Sequence, residues 1–92
     1  MEVEIGHVTH YYSHLHVAAM KPTADLKEGD YIHILGHSTD FMQRVTSLEI
    51  DHHHVAGVHP GEDVALKVIE PVRVHDVILL VPEAEYEPFP LV

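Results

Sequence analysis

Ninety-two residues, 46% hydrophobic and 22% charged, suffice for one packed core and lie near the lower end of comfortable single-domain size. Five Lys and Arg face fifteen Asp and Glu, a net charge of −10 with the eleven histidines neutral; neutralising phosphates needs clustered cations, so broad nucleic-acid binding and an anionic membrane surface are disfavoured. The lack of cysteine excludes disulfides, thiolate metal sites and cysteine nucleophiles.

The start, Met1-Glu2-Val3-Glu4, has neither a basic nor an apolar leader region, so no secretory signal is expected and the expected location is the cytoplasm. Residues Glu4 to Tyr11 and Leu15 to Met20 read as two strands joined at Tyr12-Ser13-His14. Ile5, Val8 and Tyr11 supply apolar side chains in the first; Leu15, Val17 and Ala19 alternate in the second and are expected to share one face. Pro22-Thr23-Ala24-Asp25 is a loop.

The stretch Leu26 to Gly36 organises the middle of the chain. Glu28-Gly29-Asp30 is a tight turn, with Gly29 suited to a positive φ, and it feeds a strand carrying Tyr31, Ile32 and Ile34. His33, between two inward isoleucines, is expected on the surface. After the polar turn His37 to Asp40, Phe41 to Ile50 is the return strand, with Val45, Leu48 and Ile50 as apolar markers and a β-bulge expected near Thr46-Ser47. Asp51 to Val55 is a second connection or a very short strand, and Pro60-Gly61 fits the centre of a type II turn. Val64, Leu66 and Val68 alternate as the next strand, Glu70 to Asp76 interrupts it, and Val77 to Val81 closes the set. No helix beyond a single turn is expected, and no apolar run approaches membrane-spanning length.

Short strands at close intervals with turn signals indicate an all-β fold, expected here as a small closed antiparallel β-barrel over residues 1–81. Residues 82–92, with Pro82, Pro88 and Pro90 among acids, are expected as an extended, loosely held tail. That tail has the composition of a short linear ligand; alternatively Phe89 and Leu91 dock on a neighbouring chain and support a homo-oligomer.

Three motifs carry a family resemblance: Gly6-His7-Val8-Thr9-His10-Tyr11, Leu26-Lys27-Glu28-Gly29-Asp30, and Gly36-His37-Ser38-Thr39-Asp40-Phe41. With the Pro60 to Leu66 turn-strand and the final Asp76-Val77-Ile78-Leu79, the chain resembles the second, β-barrel domain of elongation factor Tu and related translational GTPases. It is closer still to stand-alone translation elongation factor-like proteins. A comparable barrel ends collagenase-like peptidase-family proteins that act in RNA modification. The resemblance implies a non-enzymatic docking module linked to translation or RNA modification, whose partner is a protein or ribonucleoprotein. No Gly-x-x-x-x-Gly-Lys-Ser/Thr sequence is present to cradle nucleotide phosphates.

The histidines are the remaining candidates for chemistry. His14 and His16, and likewise His52 and His54, have strand spacing that can aim two imidazoles at one side and supply metal ligands, with a third from Asp51, His10 or Asp40. The competing reading is exposed polar residues at strand ends; no cofactor is then expected beyond adventitious Zn or Ni, because no His-Glu-x-x-His or complete His-acid spacing occurs. Around pH 6 most of the eleven histidines become charged, so net charge should vary steeply just below neutrality. His37-Ser38 followed by Asp40 is no catalytic triad by adjacency alone, and no Gly-x-Ser-x-Gly elbow is present. Tyr11-Tyr12 can form an aromatic platform, though core packing for Tyr11 and a half-exposed Tyr12 fit better. The expected function is therefore a binding module without catalysis. Two alternatives are a histidine-rich metal-binding or pH-responsive protein, and an accessory domain of a separately encoded enzyme.

Overall fold

The structure, a computed structural model, describes residues 1–86. Ten strands form in chain order: β1 (Val3–Tyr12), β2 (Val17–Met20), β3 (Leu26–Lys27), β4 (Tyr31–Leu35), β5 (Asp40–Arg44), β6 (Leu48–Ile50), β7 (His53–Val55), β8 (Gly57–Val58), β9 (Val64–Lys67) and β10 (Val77–Val81). Eight of them make one antiparallel sheet in the order β5-β4-β10-β1-β2-β9-β6-β7, and β3 pairs with β8 in a separate ladder. The only helical element among the described residues is one 3-10 turn at Glu83–Glu85. No helix among them is long and apolar enough to cross a membrane.

β1 is the spine. Its first half pairs with β10 and its second half with β2, and a register shift falls within each ladder, between Glu4 and Gly6 and between Val8 and His10. Such irregularities increase local twist, so a ten-residue strand can bend the sheet around its own core. Ile5, Val8, Ile32, Ile34, Leu48, Leu66 and Ile78 are fully covered inside the curl. Leu26 and Val58, from the small β3–β8 ladder, are buried in the same cluster.

The closed barrel is corrected by this order: β5 and β7 are the sheet's edges, and the fold is a curled, open half-barrel. The physical reason lies at Val45 to Ser47. Phe41 to Ile50 is not one bulged strand but two, β5 and β6, and the chain leaves the ladder between them. Beside the resulting seam, backbone contact to β9 is the Lys67 N–H donating to the Ser47 carbonyl at 3.2 Å, and one buried side chain adds to it. The Gln43 amide donates to the carbonyl of Lys67 at 2.9 Å, and its oxygen accepts from the N–H of Ile69 at 2.9 Å. A buried amide satisfied on both sides can pin β5, which pairs with β4 on one side and has no ladder on the other.

Several expected turns and strands are present. Gly29 has φ +92°, and Asp30 accepts from the Lys27 N–H at 3.0 Å to hold the turn. Val64, Leu66 and Val68 all point inward. Glu62 N–H donates to the His59 carbonyl at 3.3 Å across Pro60-Gly61. In the second strand Val17 and Ala19 share one face as expected, and it is the outward one, with Ala18 and Met20 inward; Leu15 is corrected, since it lies in the preceding turn and is exposed. The turn runs to His16, so the strand starts at Val17 and its alternation puts Val17 and Ala19 on the outward face. The tail's first residues are held: the Tyr86 ring lies 4.1 Å from that of Tyr31, and Glu85 meets the Met1 ammonium. Phe89 and Leu91, the expected docking residues of the tail, lie outside the described residues.

Candidate functional site

Two features of the outer surface bring polar chemistry together. The first lies on β4 and β5. His33 has only 14% of its side chain exposed, with Glu2 Oε1 2.6 Å from Nδ1 and Asp40 Oδ1 2.6 Å from Nε2. For both contacts to be hydrogen bonds each nitrogen must carry a proton, so the geometry is that of an imidazolium. Burial works against that charge, but the hydrogen bonds that His33 donates to Asp40 and Glu2, together with their charges, outweigh it and raise the His33 pKa above its usual value. The isoleucines flanking His33 do point inward, as the alternation requires. What sequence reasoning missed is that the outward face is roofed by a carboxylate 31 residues away. Only the acid-rich start, at Glu2 and Glu4, hinted at it.

The second is a groove of about 770 Å³ on the outward side of β2 and β9. Its floor follows from the strand period: Ala18, Met20 and Leu66 are buried inward, leaving Val17, Ala19 and Ala65 facing out. Ala19 sits directly opposite Ala65, and Ala65 opposite Glu49 of β6. Two neighbouring alanines leave a notch where sheets usually carry branched residues. Tyr12 and Leu15, 46% and 61% exposed, border the groove at the β1–β2 hairpin. Lys67 reaches that hairpin, its ammonium donating to the Leu15 carbonyl at 3.1 Å. Glu49 is half-buried, and its carboxylate has no partner among the described residues.

The four histidines proposed as metal ligands do not form the pairs expected of them. His14 and His16 both lie in the turn after β1, and His16 takes φ +56°. His52, with φ +65°, succeeds Asp51, with φ +50°, in the two-residue turn between β6 and β7. Paired positive φ values are the geometry that hairpins of this length prefer. The strand spacing that would aim each pair at one side therefore does not apply, since a member of each sits in a turn. His54 is in β7 and its Nε2 lies 2.8 Å from Glu28 Oε2. No group of three His, Asp or Glu side chains suited to a metal occurs among the described residues. Asp51 and His10 join neither pair; the His10 ring lies 4.3 Å from that of Tyr12. Tyr11 packs on the core. His59 is paired with Asp25 at 3.0 Å, which raises its pKa.

No family model matches the sequence. The chain is 36% identical over 83 residues to an uncharacterized protease of Methanocaldococcus jannaschii, a match covering 89% of this chain and 20% of that protein. The chain thus spans about a fifth of the relative's length. In structure it is similar to the C-terminal domain of a Geobacillus thermoleovorans protein assigned as a U32 peptidase, with a TM-score of 0.79 and 19% identity over 88% of this chain and 93% of that domain. The selenomethionine variant of the same domain gives a TM-score of 0.77. These matches correct the kinship with elongation factor Tu and with stand-alone elongation factor-like proteins: the glycine turns that suggested it specify short twisted strands, which an open curled sheet uses as readily as a closed barrel. The likeness to a terminal β-domain of peptidase-family proteins is the one that the comparisons support, and the link to translation has no support from them.

Proposed function

We propose that the chain acts as a non-catalytic accessory β-domain of a protease-family protein, joined to or working beside a larger body that carries the chemistry. One observation supports this above the rest: the fold corresponds to nearly the whole of a domain that ends a U32 peptidase-type protein. The sequence match to one fifth of a protease points the same way. The partner is then a protein, in keeping with a net charge of −10 and scattered cations.

The test uses the M. jannaschii relative in two forms, intact and lacking the segment that matches this chain. Calorimetric titration should give saturable one-to-one binding of this chain to the shortened form and none to the intact form, whose own domain fills the place. Failure to bind the shortened form, or peptide hydrolysis by the chain alone, overturns the reading. A second reading, that of a pH-responsive protein, draws on His33 between two carboxylates.

A further inference from the structure

We infer that the groove over Ala19 and Ala65 is the docking face for that larger body, receiving a segment that presents an apolar side chain flanked by Arg or Lys. This rests on the accessory-domain reading. Three observations identify the occupant. Alanine is a poor strand former, and two of them facing each other outward at Ala19 and Ala65 leave a notch that can seat a partner's side chain against the backbone. At its border stand Tyr12 and Leu15, exposed apolar surface of the kind that anchors interfaces. Beside the notch, the Glu49 carboxylate is half-buried and unpaired among the described residues, whereas the groove's own cation, Lys67, is engaged by the Leu15 carbonyl. A partly desolvated carboxylate without a partner is matched by a cation, and an overall charge of −10 favours approach of a basic segment. The matching domain occupies a fifth of the M. jannaschii relative, so in that protein four fifths of the chain is at hand to supply such a segment.

The experiment titrates the shortened relative with the wild-type chain and three variants. Ala65→Trp fills the notch, Glu49→Lys reverses the charge, and Leu35→Glu alters an exposed residue of β4, outside the groove. Both groove variants should bind about tenfold more weakly or worse, with Leu35→Glu within about twofold of wild type. Melting temperatures are measured for each; if Ala65→Trp fails to fold, Glu49→Lys carries the test. Wild-type binding with unaffected Glu49→Lys and Ala65→Trp overturns the docking face and leaves the accessory-domain reading standing. Absence of wild-type binding overturns both.

Discussion

On the β4–β5 side of the sheet, polar groups drawn under cover meet partners from this chain. His33 lies between Glu2 and Asp40, and Gln43 bonds both Lys67 and Ile69 across the seam. On the β2–β9 side the floor is small and apolar, and the half-buried Glu49 has no partner among the described residues. Both ends belong to one continuous sheet, so backbone pairing does not explain the contrast. Side chains do: one end of the sheet is completed within the molecule, the other is arranged as if something else completes it. Substitutions at the first end should therefore cost stability, and those at the second should cost binding.

The largest loss is expected at the seam. Gln43→Leu keeps the bulk but leaves the Lys67 carbonyl and the Ile69 N–H, both part-buried, without this partner, and such groups cost roughly 1–3 kcal/mol each when unsatisfied. A loss of about 3 kcal/mol in urea unfolding is expected, and a change below about 0.5 kcal/mol would show that β5 holds to the end of β9 without the amide. Next comes Gly36→Ala. A Cβ at Gly36 would fall 1.9 Å from Asp76 Oδ1, and Asp76 is buried while accepting from the Arg73 N–H at 2.8 Å. Asp76 must move, at about 2 kcal/mol for overpacking. Unchanged stability would mean that the turn yields freely.

His33 gives a smaller, pH-dependent effect. Its pKa is raised in the folded state, so its contribution is fully present below the unfolded value near 6.5 and is lost as pH rises through the folded value. Around it stand Glu2 and Asp40 in direct contact, with Leu79 and Met42 as its cross-strand neighbours and Glu4 beyond Leu79. Because Asp40 is largely exposed, the pairs should contribute only about 1 kcal/mol. Stability of wild type minus His33→Gln, tracked by urea unfolding from pH 6 upward, should shrink toward zero. A difference constant across that range would mean that His33 folds uncharged.

How far the residues alone reveal this arrangement differs between the two ends. Inward positions such as Ile34, Leu66 and Val68 follow from alternation, because burial on one side imposes a period of two. The seam does not: Gln43 looks like any surface amide until Val45 to Ser47 leaves the ladder and opens a gap beside it. Closure depends on whether two distant edges meet, and no local pattern encodes that. The Glu2–His33 contact spans 31 residues and is hidden for the same reason. The groove is hidden because the alternation of Val17 and Ala19 shows that they share a face but not that this face is the outward one.

The smallest effect sharpens the contrast most. Ala65 occupies a central position of β9, opposite Ala19 on one side and Glu49 on the other, where valine is the better strand former. If the alanine is there for the fold, Ala65→Val should crowd its neighbours and lower stability by about 1 kcal/mol or more. If it is there to keep the groove open, the branched side chain should pack on the exposed floor and leave stability unchanged or raised by about 0.5 kcal/mol. The second outcome is expected, because the half-exposed side chain of Ala65 borders open space where a valine has room. Equilibrium urea unfolding of both proteins distinguishes the two. A position where the commoner strand residue is tolerated or even favoured, yet alanine stands, is one shaped by something other than the stability of this chain.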